Sequence, residues 1–381
     1  MRILLTADPE LPVPPVTYGG IERIVADLAR GLRQRGHVVG LAARSGSTAE
    51  VDRLYPWPGT SSRGLWPGMR NGWALRRAVA DFRPDVVHSF SRLAYLLPLL
   101  PSRLPKVMSY QREPSLRTTT RALRLARGTL TFTGCSEHIC RTGRRAGGHW
   151  QAIPNFVDPD RYTFRSAVPA DAPLVFLSRV EPIKGAHLAI DAARRAGHKL
   201  IIAGNHSEDG VNGRYWREQI APQIGRDGID YAGPVNDRQK DDLLGRAAAL
   251  LVPVQWEEPF GIVFAEALAC GTPVISCPRG ALPEIVRDGR EGFLAETVDG
   301  LVDAIGRLGE IDRGACRERA ETAFSASVIV GQYEQLYRSV RGTPSAKAAA
   351  ATRPEITDAR VPSAEKEPVL SPLPSGERGR G

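Results

Sequence analysis

Short apolar runs alternate with helix-period segments along this chain, and the alternation starts twice. Arg2–Ala7 and Val38–Ala43 read as strands. Between them Ile21, Ile24, Val25, Leu28 and Leu32 recur at helical spacing over Ile21–Arg35, with Gly36 as the stop. A helix over Leu75–Phe82, strands at Asp85–Phe90 and Lys106–Tyr110, a helix over Leu116–Arg127 and a strand at Leu130–Cys135 continue the first series. Residues 55–73, rich in Pro, Gly, Ser and Trp, read as an irregular loop. The second series has strands at Leu174–Ser178, Lys199–Ala203, Ile229–Gly233, 249–254 and Pro273–Cys277, with helices at Gly185–Ala196 and Asp237–Ala247. Two consecutive βα series make an α/β protein of two doubly wound, Rossmann-like domains. The expected units are 1–160, 161–324, a closing helix at 325–341 and a disordered tail at 342–381, whose composition is Pro-, Ala- and Ser-rich and charged.

The 381 residues suit two domains plus extras. No apolar stretch reaches the ~18 residues that a membrane span needs, and the N-terminus turns acidic too early for a signal peptide. Five cysteines without metal-ligand spacing read as small core residues in a reducing cytoplasm. Charge is uneven. Residues 1–160 hold 23 Lys and Arg against 12 Asp and Glu, whereas residues 161–340 hold 21 against 25. Arg117, Arg121, Arg124 and Arg127 fall on one helix face, with Arg141, Arg144 and Arg145 close behind. Either this is a solvated surface, or it draws the N-terminal domain to an anionic acceptor or to acidic lipid on the inner face of the membrane. The acidic second half speaks against a nucleic-acid partner.

The segment Trp256-Glu257-Glu258-Pro259-Phe260-Gly261-Ile262-Val263-Phe264-Ala265-Glu266 carries the chemistry. A strand-like run leads into a helix start, where free N–H groups and partial positive charge favour phosphate. Carboxylates repel phosphate but accept hydrogen bonds from hydroxyls. Two glutamates beside an anion site therefore fit a ligand whose phosphates lie between hydroxyl-rich rings, as in a nucleotide-sugar. Glu258 and Glu266 would be roughly 12 Å apart along a helix axis, enough to reach different parts of one ligand.

This segment, with Ala269-Cys270-Gly271-Thr272-Pro273-Val274-Ile275 after it, resembles the signature of retaining, GT-B-fold glycosyltransferases of family 4, the group 1 type that includes glycogen synthases and mannosyltransferases. The resemblance implies two Rossmann-like domains facing across a cleft, with the closing helix crossing back onto the first. It implies an enzyme that moves a sugar from a nucleoside diphosphate to a hydroxyl acceptor, with no required cofactor or metal. Glu258 would then contact the donor sugar, Glu266 the ribose, and the backbone of Gly261, Ile262 and Val263 the diphosphate. Arg179 and Lys184, in Ser178-Arg179-Val180-Glu181-Pro182-Ile183-Lys184-Gly185, resemble the family's Arg…Lys-Gly pair that neutralises the leaving group. Gly19-Gly20-Ile21-Glu22 resembles the first-domain loop that touches the donor, and Gly233 lies in the loop beside the nucleobase. His88, ending Asp85-Val86-Val87-His88, resembles the histidine near the donor sugar. Glu284, in Gly280-Ala281-Leu282-Pro283-Glu284-Ile285-Val286, reads as a helix-start residue rather than a catalyst. Two departures stand out. Near Tyr110-Gln111-Arg112-Glu113, where relatives often carry another histidine or an aromatic residue, this chain departs from the family pattern, and Phe156 replaces a glycine in Pro154-Asn155-Phe156-Val157-Asp158.

Competing readings separate on the same residues. A retaining glycosidase needs carboxyl groups ~5–5.5 Å apart, which one loop-helix unit does not supply. A dehydrogenase needs a Gly-x-Gly-x-x-Gly turn, which is absent. A non-catalytic nucleotide-sugar or surface-binding protein could share the fold, but would be expected to have lost some of Arg179, Lys184, Glu258 and Glu266.

Overall fold

Alternating strand and helix segments build two parallel sheets in a computed structural model that describes residues 1–15, 19–62 and 64–342. The first sheet holds β1 (Arg2–Thr6), β2 (Val38–Ala43), β3 (Arg53–Pro56), β4 (Val86–Ser89), β5 (Lys106–Tyr110), β6 (Leu130–Gly134) and β7 (Trp150–Ala152). Their order is β3-β2-β1-β4-β5-β6-β7. The second holds β8 (Leu174–Leu177), β9 (Leu200–Ala203), β10 (Ile229–Gly233), β11 (Leu250–Val252), β12 (Val274–Ser276) and β13 (Gly292–Leu294), in the order β10-β9-β8-β11-β12-β13. Strand order reverses beside β1 and beside β8, the switch points where open α/β sheets bind ligands at strand C-terminal ends.

In the N-terminal half the helices are α1 (Gly20–Gln34), α2 (Leu65–Phe82), α3 (Leu116–Ala126) and α4 (Glu137–Arg144). The C-terminal half adds α5 (Ala186–Arg195), α6 (Gly210–Tyr215), α7 (Asp237–Arg246), α8 (Ile262–Ala269), α9 (Leu282–Ile285), α10 (Val298–Gly306), α11 (Arg313–Ala323) and α12 (Ala326–Gly342). The strands are apolar because both faces are covered: β4 and β8 are buried at every position.

The expected loop over 55–73 is a correction. β3 ends at Pro56, and α2 starts at Leu65, ten residues before the predicted helix. Proline is tolerated in a first helical turn, which accommodates Pro67. Gly72 is a packing residue, since a Cβ there would come within 3.2 Å of the Pro98 ring. The short strands β7 and β13 and the helices α4, α10 and α11 also went unread.

Helix α12 leaves the second sheet and buries Ile329, Val330, Tyr333, Leu336 and Tyr337 in the core of the first half, beside Ile3, Leu5 and Leu28. Within the described residues the chain therefore passes between the halves twice. The two passages touch: the N–H of Val157 donates to the carbonyl of Phe324 and the N–H of Ala326 to that of Val157, each at 2.9 Å. Residues 343–381, which include all but the first residue of the expected tail, lie outside the described residues.

Candidate functional site

Glu258 lies in the turn between β11 and α8 and is only 6 % exposed. Its Oε2 accepts from the Nζ of Lys184 at 2.5 Å and from the Nε1–H of Trp256 at 2.8 Å. Lys184, itself 9 % exposed, also lies over the Trp256 ring, 4.9 Å from its centre. Lys184 reaches this position from the single turn Pro182–Lys184 that follows β8. The structure thus joins two residues read separately from sequence and adds Trp256, whose role no sequence pattern flagged. Arg179 lies on the same β8 end but pairs with Glu181 at 2.6 Å and remains half exposed. Its guanidinium is available to solvent, whereas the Lys184 ammonium is already matched.

Gly261 caps α8, so Glu258 lies outside the helix and the 12 Å axial separation from Glu266 does not apply. The cap has φ +79°, and a Cβ there would strike the Phe264 ring at 2.5 Å, so only glycine fits. Among the described residues no side chain caps α8, which leaves the amides of Ile262 and Val263 at its first turn as anion donors.

Glu266, one turn along α8, is buried and accepts from Tyr162 Oη at 2.8 Å and Lys240 Nζ at 2.5 Å. Burial, and then the Glu266 charge, push the Tyr162 phenol far above its ordinary pKa. Lys240 on α7 also meets Asp237 at 3.4 Å, and Asp237 pairs with Arg23 of α1 at 2.5 Å. Tyr162, Lys240 and Arg23 were not singled out from sequence, because nothing local distinguishes them from other surface residues of their helices and loops. Gly233 ends β10 at φ +73° with open space where a side chain would stand. Gly19 precedes α1, and a Cβ on Gly20 would lie 3.0 Å from Cδ1 of Ile262. The first-half glycine loop therefore abuts the start of α8.

His88 is a correction. It is fully buried, with Nδ1 2.6 Å from Tyr337 Oη and Nε2 2.6 Å from Ser109 Oγ. The rings of Phe90 and Tyr333 pack against it at 4.3 and 5.0 Å. Burial depresses its pKa to about 3, so it is neutral. It belongs to the core under α12, not to the wall of a cleft. The readable signal was Tyr333 and Tyr337, spaced to share one face of the last helix. Asp8, just past β1, escaped notice. Burial and the neighbouring Glu10 raise its carboxyl to about 6.

The two halves meet beside Glu258. Ser136 Oγ donates to the carbonyl of Pro259 at 2.7 Å. Glu284 stands in the first turn of α9 as expected, but its carboxylate serves another helix: it accepts the N–H groups of Glu137 and His138, at 2.7 and 2.8 Å, at the start of α4.

The family model described as "Glycosyl transferases group 1" matches residues 163–323, and "Glycosyltransferase Family 4" matches residues 18–161. Phosphatidyl-myo-inositol mannosyltransferase of Mycobacterium tuberculosis (strain CDC 1551 / Oshkosh) is 27% identical over 399 residues, spanning 90% of this chain and 98% of that protein. Among solved structures, AviGT4, a glycosyltransferase involved in avilamycin A biosynthesis, is 26% identical with a TM-score of 0.68, over 90% of this chain and 98% of its own. HepE of Anabaena, solved in complex with UDP-glucose, is 20% identical with a TM-score of 0.67, over 89% of this chain and 100% of its own, a likeness of fold.

Proposed function

This chain belongs to the group 1, family 4 glycosyltransferases, and from that premise we propose that it moves a sugar, with retained configuration, from a nucleoside diphosphate to a hydroxyl of a glycan, glycolipid or small molecule in polysaccharide or glycoconjugate synthesis. The observation that carries this reading is the buried Lys184–Glu258 pair beside the glycine-capped start of α8, where no side chain among the described residues takes the first amides. A cation and free amides there suit a diphosphate, and a carboxylate suits sugar hydroxyls. As the sugar–phosphate bond breaks, positive charge grows at the anomeric carbon and negative charge on the diphosphate. Lys184, Arg179 and the Gly261–Val263 backbone would stabilise the leaving group. Glu258 would orient the sugar ring and Glu266 would hold the ribose. No protein base is assigned, since the departing phosphate can take the acceptor proton. The UDP-glucose bound by HepE supports a nucleotide-sugar donor.

The test is a panel of nucleotide-sugars read first by thermal shift and then by nucleoside diphosphate release with hydroxyl acceptors. One donor is expected to raise the melting temperature and to be consumed. A panel that produces no shift defeats the reading. A shift without turnover for any acceptor favours a binding protein on the same fold.

For the N-terminal half we propose peripheral contact with an anionic membrane. Arg117, Arg121, Arg124 and Arg127 are all exposed. On α2, Leu65 and Trp66 are 77% and 74% exposed, with Met69 and Trp73 also outward and Arg70, Arg76 and Arg77 among them. Exposed aromatic and aliphatic side chains set among arginines suit an acidic lipid surface. No helix among the described residues is long and apolar enough to cross a membrane.

A further inference from the structure

Glu284 spends its carboxylate on a helix in the other half of the molecule. The first three amides of α4 are all engaged: those of Glu137 and His138 by Glu284, and that of Ile139 by Ser136 Oγ at 3.3 Å. A carboxylate at a helix N-terminus, accepting two amides, is a charge-assisted contact aligned with the helix dipole. It is also directional, because both oxygens must face the helix start together.

The other end of this contact leads to Glu258. Ala281, three residues before Glu284, donates its N–H to the carbonyl of Glu258 at 2.8 Å. The N–H of Gly280 donates to Glu257 Oε2 at 2.7 Å. Gly280 has φ +60°, and a Cβ on it would fall 2.2 Å from the Glu258 carbonyl oxygen. The 280–281 backbone thus lies directly on the Glu258 peptide. The Glu284 backbone is anchored as well: its N–H donates to Ala281 at 2.9 Å, and its carbonyl accepts from Arg319 Nη2 at 2.6 Å. On the opposite side of the same turn, Ser136 holds the carbonyl of Pro259, the residue after Glu258. The start of α4 therefore grips the Glu258 turn by both arms.

We propose that Glu284 is a positioning residue. Its grip on α4 sets the Glu258 turn, and with it the Lys184–Glu258 pair, in the arrangement used for transfer only while the two halves are docked. The proposal rests on the reading of Glu258 as a donor-sugar contact. It differs from a general stability role because it predicts an effect on turnover that is larger than the effect on donor binding.

The test compares the full chain with Glu284→Gln, which keeps shape and one acceptor but loses the charge and turns an NH2 toward one amide. The donor is the nucleotide-sugar consumed in the panel above. We expect kcat to fall roughly tenfold, or 1.36 kcal/mol of barrier, with donor KM within about twofold. Ser136→Ala, which releases the other arm, should act in the same direction more weakly. Hydrogen exchange without donor should quicken both at 137–140 and at 256–262 in Glu284→Gln. A lowered melting temperature with unchanged kcat and KM overturns the proposal, as does faster exchange confined to 137–140. Should the wild-type chain consume no donor, the transferase reading fails separately. The exchange at 256–262 then decides alone whether Glu284 holds this turn.

Discussion

Removing the Lys184 ammonium gives two separable effects. In Lys184→Met the side-chain stem stays and the charge goes, leaving the Glu258 carboxylate buried with, among the described residues, only Trp256 Nε1–H as a side-chain partner. Both partners are nearly excluded from solvent, so screening does little. Breaking a buried pair from one side costs about 3–5 kcal/mol. The surviving Trp256 hydrogen bond argues for the lower end. At about 2–4 °C per kcal/mol for domains of roughly 150–250 residues, a 3 kcal/mol loss lowers the melting temperature by about 6–12 °C. Transfer should lose roughly 10²–10³ in kcat, the scale for a lost donor to developing charge. The double variant Lys184→Met/Glu258→Gln removes the stranded charge and should recover most of the stability but none of the transfer. Thermal shift and nucleoside diphosphate release read the two effects. Wild-type turnover in Lys184→Met would refute the leaving-group role. A double variant no more stable than the single one would refute the buried-pair account.

His88 makes stability depend on pH. Its pKa falls from 6.5 to about 3 on folding, so between those values the unfolded chain binds a proton that the folded chain does not. Stability is lost as pH drops through that window, by up to about 1.4 kcal/mol per pH unit. His88→Gln should flatten the pH dependence of melting in that window relative to wild type, and an unaltered slope would contradict neutral burial. For the membrane proposal, sedimentation with acidic liposomes should fall as salt rises and fall further in Trp66→Ser/Trp73→Ser. Equal binding to neutral liposomes removes the electrostatic part.

Strand identity was readable because strands covered on both faces are uninterrupted apolar runs, as in Leu4-Leu5 and Leu250-Leu251-Val252. The glutamate segment was readable because a strand-like run, a helix start and two carboxylates stand together in a local stretch that resembles the family signature. The start of α2 was not, since Pro67, Gly68 and Gly72 imitate a loop and the packing of Gly72 on Pro98 is invisible locally. His88 was misplaced because its burial comes from tyrosines 245 and 249 positions downstream, on a helix from the other end of the chain. The same limit applied to Glu284. Its own helix could be inferred, but the helix that its carboxylate binds could not.

The paired passages at Val157 and Phe324–Ala326 bear on how the molecule can move. A single linker would let the halves swivel, slide and twist. Two connections hydrogen-bonded side by side, as on a cabinet door, favour a swing about one line over the other motions. The Arg23–Asp237 pair and the contacts of α4 with the Glu258 turn both span the halves, so a swing about that line would break them together.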